Sequence, residues 1–138
     1  MDITEIDLVR STFATVAPCA DAFAKTFYDH LFQLDPDLRS MFAPDLAAQR
    51  NKLIDELTMI VDCLGRLPAL TWRTTELGRR HVDYGVEPHH YDLVLDALMF
   101  ALSEQLGEAM TPQATRSWRR AYHLVAETML YGAHHPVT

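Results

Sequence analysis

The chain has 138 residues, enough for one domain with a single sizeable core and too few for two. With 19 acidic residues against 12 Lys and Arg, its formal charge is −7, which argues against a general nucleic-acid or anionic-membrane binder, since both need a basic face. Hydrophobic residues make up 49% and charged residues 22%, an ordinary globular balance, and only five glycines argue against a glycine-rich phosphate-cradling enzyme.

The N-terminus, Met1-Asp2-Ile3-Thr4-Glu5, is acidic and lacks the basic-then-apolar layout of a secretory leader. No run approaches the roughly 18 apolar residues of a spanning helix, and the passage from Leu93 to Leu102 is interrupted by Asp96. Cys19 and Cys63 are too few for a disulfide framework and have no metal-ligand spacing. They are expected as two buried free thiols in a reducing cytoplasm, with no membrane and no nucleic acid as partner.

The apolar period along the chain is near 3.6 throughout, not 2. Segments 5–17 and 20–34 open the pattern, with Phe23, Phe27 and Leu31 aligned in the second. Asp35-Pro36-Asp37 reads as a helix start, and the short stretch to Pro44 carries Leu38, Met41 and Phe42. An aromatic in so short a bend suggests a corner around something. Segment 46–64 places Gln49, Leu53, Leu57, Ile60 and Leu64 on one stripe. Leu70, Thr74, Leu77 and His81 step along the next face, and Gly85 reads as the C-cap of that helix. Glu87-Pro88 marks another start, followed by segment 89–106 with Tyr91, Val94, Leu95, Leu98, Leu102 and Leu106 in line. Thr111-Pro112 reads as a cap with proline at the first helical position, ahead of segment 113–131 with Ala114, Trp118, Tyr122, Val125 and Met129. A short flexible tail is expected over about 132–138, and the fold class is all-α, with about six to eight helices in one domain over 1–138.

Seven histidines raise the question of a metal. His134 and His135 fall in the expected tail, His89 and His90 open a helix after Pro88, and His30 and His123 flank apolar stripes. There is no His-x-x-x-His or Glu-x-x-His pair with the fixed helical geometry of a zinc or di-iron site, so a dedicated multi-ligand metal site is not expected. His81 differs, because its stripe points it at the core. A core-facing histidine more often serves structure than ligation. A single histidine binds iron usefully only where a cofactor supplies the in-plane ligands, and haem is the obvious candidate.

Leu77-Gly78-Arg79-Arg80-His81-x-x-Tyr84-Gly85-Val86, then Tyr91, resembles the proximal segment of bacterial single-domain haemoglobins and of the globin domains of flavohaemoglobins. Phe27-Tyr28-x-x-Leu31-Phe32-x-x-x-Pro36-x-Leu38-x-x-Met41-Phe42 resembles that family's distal helix and corner, Gln49-x-x-x-Leu53 its distal pair, and Trp118-x-x-x-Tyr122 its last helix. The resemblance runs from about Ile3 to Met129, and the connection from Phe42 to Gln49 is short for the family.

The resemblance implies a globin fold around haem b (iron protoporphyrin), with His81 as the metal ligand. Phe42 would stack on the porphyrin, and Tyr28 and Gln49 would offer hydrogen bonds to a bound gas carrying partial negative charge. Leu53 would keep the ligand site apolar. Lys52 and Arg80 are the cations placed for the propionates, or else solvated surface charges. Val86, Tyr91 and Val94 would line the proximal side. In flavohaemoglobins a tyrosine and a late glutamate support the proximal histidine. Tyr91 matches the tyrosine, but the glutamate's place falls near Ala133, and Glu127 is out of register by more than a turn. That departure argues against strong peroxidase-like or dioxygenase activation, not against ligand binding. The implied function is reversible oxygen binding for storage, delivery or scavenging, as a monomer or homodimer. The alternatives are a nitric oxide dioxygenase served by a separate reductase, a ligand sensor acting through a partner, and a haem-free globin-like module.

Overall fold

In a computed structural model the chain is described over residues 1–83 and 85–134, with the side chains of Asp83, Ala133 and His134 excepted. Among the described residues there are six α-helices and no strand: α1 (Ile3–Val16), α2 (Ala20–Leu34), α3 (Ala47–Cys63), α4 (Leu67–Asp83), α5 (His90–Leu106) and α6 (Pro112–His134). Short 3₁₀ turns lie at Ala17–Cys19, Pro36–Met41 and Gly107–Ala109. The all-α expectation therefore holds, and the boundaries shift for local reasons.

Helix α1 starts two residues early because Asp2 and Glu5 form a capping box: the Glu5 amide donates to Asp2 Oδ1 at 2.8 Å, and the Asp2 amide to Glu5 Oε1 at 3.2 Å. Thr111 caps α6 as expected, its hydroxyl accepting from the Ala114 amide at 3.1 Å. Helix α5 starts at His90, after a turn through Pro88 and His89. Helix α6 continues through His134, past the end expected near residue 131. The remainder of the expected tail, including His135, lies outside the described residues.

Two helix pairs make the most extensive contacts, α4 with α6 and α2 with α5, while α1 lies on α6 and α5. Burial follows the expected stripes. Phe23, Phe27 and Leu31 of α2, Leu95, Leu98 and Leu102 of α5, and Trp118, Val125 and Met129 of α6 all enter one core. Trp118 also donates through Nε1 to Thr12 Oγ1 at 2.9 Å, which satisfies its only polar group inside that core. The thiol expectation is half corrected: Cys63 is buried, but Cys19 is exposed, because it ends the 3₁₀ turn whose three residues all face outward.

The α4–α6 crossing is unusually close because each helix presents a glycine. A Cβ on Gly78 would overlap the backbone carbonyl of Met129, and one on Gly132 that of Thr75. Beside them the Thr74 and Thr128 hydroxyls bond to each other. Helix α4 is therefore seated on α6 by backbone contact. Helix α3 is the opposite case. Only Val61 and Cys63, at its C-terminal end, are buried, and Leu53, Ile54 and Leu57 stay half-buried. An apolar stripe left half-covered between packed helices leaves room for an apolar ligand.

Candidate functional site

Helix α4 carries Leu70 and Thr74 fully into the core and leaves Leu77 and His81 half-buried further along the same stripe. The His81 Nδ1–H donates to the Leu77 carbonyl at 2.8 Å. This bond fixes the ring orientation and the tautomer, with the proton on Nδ1. Burial pushes the imidazole below its usual pKa, with the bond to the Leu77 carbonyl opposing that shift. The neutral form, the one that ligates a metal, is thus favoured. Gly85, at φ 85°, ends the helix just beyond His81. The Val86 amide donates to the His81 carbonyl at 3.0 Å and the Gly85 amide to the Val82 carbonyl at 2.9 Å, a Schellman closure that only glycine accommodates readily. Val86 follows, half-buried, as does Tyr91 at the start of α5, with Val94 one turn on. Tyr84 lies outside the described residues.

On α2, Tyr28 is 4% exposed, and its oxygen accepts a hydrogen bond from Gln49 Nε2 of α3 at 3.2 Å. The phenol's own hydrogen therefore remains to be donated elsewhere, and an accepted bond strengthens that donation. Burial raises the Tyr28 pKa, with the Gln49 bond opposing, so the hydroxyl stays protonated. Phe27, Phe32 and Phe42 surround the ring at centroid distances of 4.9, 5.9 and 5.6 Å. Leu53, one turn after Gln49, is half-buried on the same face of α3. The structure thus joins Tyr28, Phe42 and Gln49, residues far apart in sequence.

The two candidate cations fare differently. Lys52 is exposed on α3. Arg80 reaches Glu56 Oε1 at 3.9 Å, an acceptor that Arg73 also approaches at 3.3 Å. Sequence reading missed this cluster. Its members line a cleft of about 350 Å³ with Trp72 and Glu76, in which Glu56 Oε2 and Arg73 Nε are buried without hydrogen-bond partners. Buried polar atoms left unpaired are costly, which marks the contact of α3 with α4 as incompletely filled. Tyr122 of α6, expected only as a stripe residue of the last helix, has a polar role as well. Its hydroxyl donates to the Tyr91 carbonyl, and burial raises its pKa strongly. This ties the start of α5 to α6. Glu127 is exposed.

A second omission is Arg39. The corner after Pro36–Met41 is short, and its carbonyls have no helical partners. The Arg39 guanidinium bonds those of Phe42, Ala43 and Pro44 at 3.4, 2.9 and 2.7 Å, and lies 5.6 Å from the Phe32 ring. It therefore holds the segment that presents Phe42. Arg39→Met is expected to cost about 2 kcal/mol, read as a lowered urea midpoint, because it frees three carbonyls at once. A midpoint equal to the parent's would show that the corner holds without it.

A model of the globin family matches residues 25–129. The chain belongs to the globin family. This globin is 26% identical to a flavohemoprotein of Bacillus subtilis over 133 residues, which is 94% of this chain and 33% of the relative. It thus spans about a third of that relative's length. It is also 26% identical to an uncharacterised globin-like protein of Aquifex aeolicus, over 91% of this chain and 88% of that one. Among solved structures it resembles an engineered carbene transferase made from a candidate nitric oxide dioxygenase of Rhodothermus marinus, with a TM-score of 0.85, 25% identity and coverage of 97% and 94%. A bacterial globin of Campylobacter jejuni superposes with a TM-score of 0.84 at 18% identity over 96% of each chain, a likeness of fold. In this globin no helix among the described residues is long and apolar enough to cross a membrane.

The donor set of this globin fits haem. One oriented imidazole, a half-covered apolar stripe on α3 and a half-buried Phe42 are features that a flat, mostly apolar group with one axial bond would complete.

Proposed function

We propose that this globin holds haem b through His81 and binds oxygen beside Tyr28 and Gln49. When bound, haem supplies an iron centre able to take a diatomic ligand and to exchange one electron. The observation that carries the reading is the Gln49 to Tyr28 hydrogen bond, made in a dry aromatic surround on α2 and α3, while His81 is oriented on α4. Tyr28 donates to the partial negative charge on the gas, and Gln49 keeps the phenol turned for that donation. Phe42 and Leu53 exclude water from the ligand site. Val86, Tyr91 and Val94 complete the apolar wall on the His81 side. Lys52 and Arg80 are the candidate partners of the propionates, with Arg80 already held at Glu56. A reducing cytoplasm suits the buried free Cys63.

The test is kinetic. Tyr28→Phe deletes one hydroxyl and keeps the ring packing. Oxygen release by the variant is expected to be faster by roughly five- to a hundredfold, because a donor to a charged acceptor is worth about 1–3 kcal/mol. Unchanged release would mean that the hydroxyl does not reach the ligand.

The similarity to flavohemoproteins favours one second reading, nitric oxide dioxygenation. One oxygen, one nitric oxide and one electron give nitrate, so turnover needs a reductase as partner. Sustained nitric oxide consumption with an added reductase and reduced nicotinamide supports that reading, and a single stoichiometric event supports oxygen binding alone.

A further inference from the structure

The fold brings together three side chains that sequence spacing keeps apart. Asp35 stands at the end of α2. His89 is the N-cap of α5 and His90 its first residue. One donor atom from each lies within 4.8 Å of the others. We propose that Asp35, His89 and His90 form a binding site for a zinc-class divalent cation, which ties the corner preceding Phe42 to the start of α5. This site is separate from the haem reading and does not depend on it.

The geometry is near what coordination needs. Ligand bonds of about 2.0–2.1 Å in a tetrahedral site put donor atoms roughly 3.4 Å apart. Small rotations of one exposed and two half-buried side chains close the remaining gap. The two imidazole rings already lie with centroids 4.2 Å apart.

The surrounding groups are those of a metal site. Glu87 Oε2 lies 3.3 Å from His89 Nδ1, the carboxylate–imidazole pairing that turns the other ring nitrogen towards a metal and makes it more basic. The Asp37 amide occupies Asp35 Oδ1 at 3.1 Å, which leaves Oδ2 to ligate. His90 Nδ1 accepts from the Glu87 amide at 2.9 Å. Coordination through that nitrogen exchanges this bond for the metal, and the exposed Glu87 amide turns to water. Two imidazoles and one carboxylate select zinc, cobalt, nickel or copper over magnesium or calcium. Water fills the open coordination positions.

The location gives the site a consequence. The turn Pro36–Met41 begins beside Asp35 and ends at Phe42, and Tyr91 directly follows His90. A cation here braces two segments that both border the candidate haem pocket.

The test is calorimetric titration of zinc chloride into the purified protein, with magnesium chloride as the control. One zinc per chain is expected, with a dissociation constant on the order of 1–10 μM, matched by a rise in melting temperature of several degrees in excess zinc. The double variant His89→Ala/His90→Ala should weaken binding more than tenfold and lose that rise. Asp35→Asn keeps the oxygen that caps the turn and removes the charge, and should weaken binding several-fold. His123→Ala and His134→Ala/His135→Ala should bind as the parent does. Parental affinity in the His89/His90 double variant, loss of binding in the His134/His135 variant, or no uptake at millimolar zinc would each overturn the proposal.

Discussion

His81→Ala is expected to strip haem from this globin. The variant is expected to fold, because His81 is only half-buried and its 2.8 Å hydrogen bond goes to the Leu77 carbonyl of its own helix, but its haem retention should fall by more than about tenfold. The expected readout is the ratio of the Soret band to protein absorbance after gel filtration. His30 stacks on Phe100 at 4.0 Å, and His89 and His90 belong to the far end of the α4–α5 connection. Addition of imidazole should restore part of the haem binding, which a merely structural role for His81 would not allow. Full haem content in the untreated variant would sink the assignment of the axial ligand.

The second large effect concerns the helix that carries that ligand. Gly78→Ala places a methyl group where the Met129 carbonyl already sits, and neither backbone can give way without moving a whole helix. Overpacking of side chains costs about 1–3 kcal/mol, and a clash with backbone belongs at or above the top of that range. The melting temperature should drop by roughly 10 °C. Haem should also leave faster, because α4 can relieve the clash only by shifting away from α6 and taking His81 with it. Gly65→Ala is the control. Its Cβ would lie 3.5 Å from Arg10 Nη2, an ordinary contact, and should leave both properties unchanged. A Gly78→Ala protein as stable as the parent would show that α4 and α6 do not cross as closely as described.

Much of the fold was legible because helical burial has a period. The stripe Phe23, Phe27, Leu31 is buried, as are Ala114, Trp118, Val125 and Met129 of the stripe that also holds the half-buried Tyr122, and the segment 20–34 coincides with α2. Capping chemistry fixed Thr111 and Gly85 for the same local reason. Resemblance then selected Tyr28, Phe42 and Gln49, and the structure brings these three together.

What was missed is non-local. Arg39 sits in an unremarkable polar position until the chain turns back and exposes three carbonyls to it. Glu56, Arg73 and Arg80 read as solvated charges on two helices, and only the approach of α3 to α4 makes them a cluster. Cys19 was expected to be buried by composition, which says nothing of a 3₁₀ turn that faces outward. His89 and His90 carry no metal-site spacing, because their third partner, Asp35, comes from another helix end.

The sequence by itself determined the all-α class, the positions of the helices and the identity of the oriented histidine, since each follows from interactions within four or five residues. The tertiary structure alone decided how near α4 lies to α6, which polar groups share a partner, and which apolar stripe stays half-covered. Those depend on helix crossings, where contact between distant residues is set by the sum of the packing and not by any local pattern.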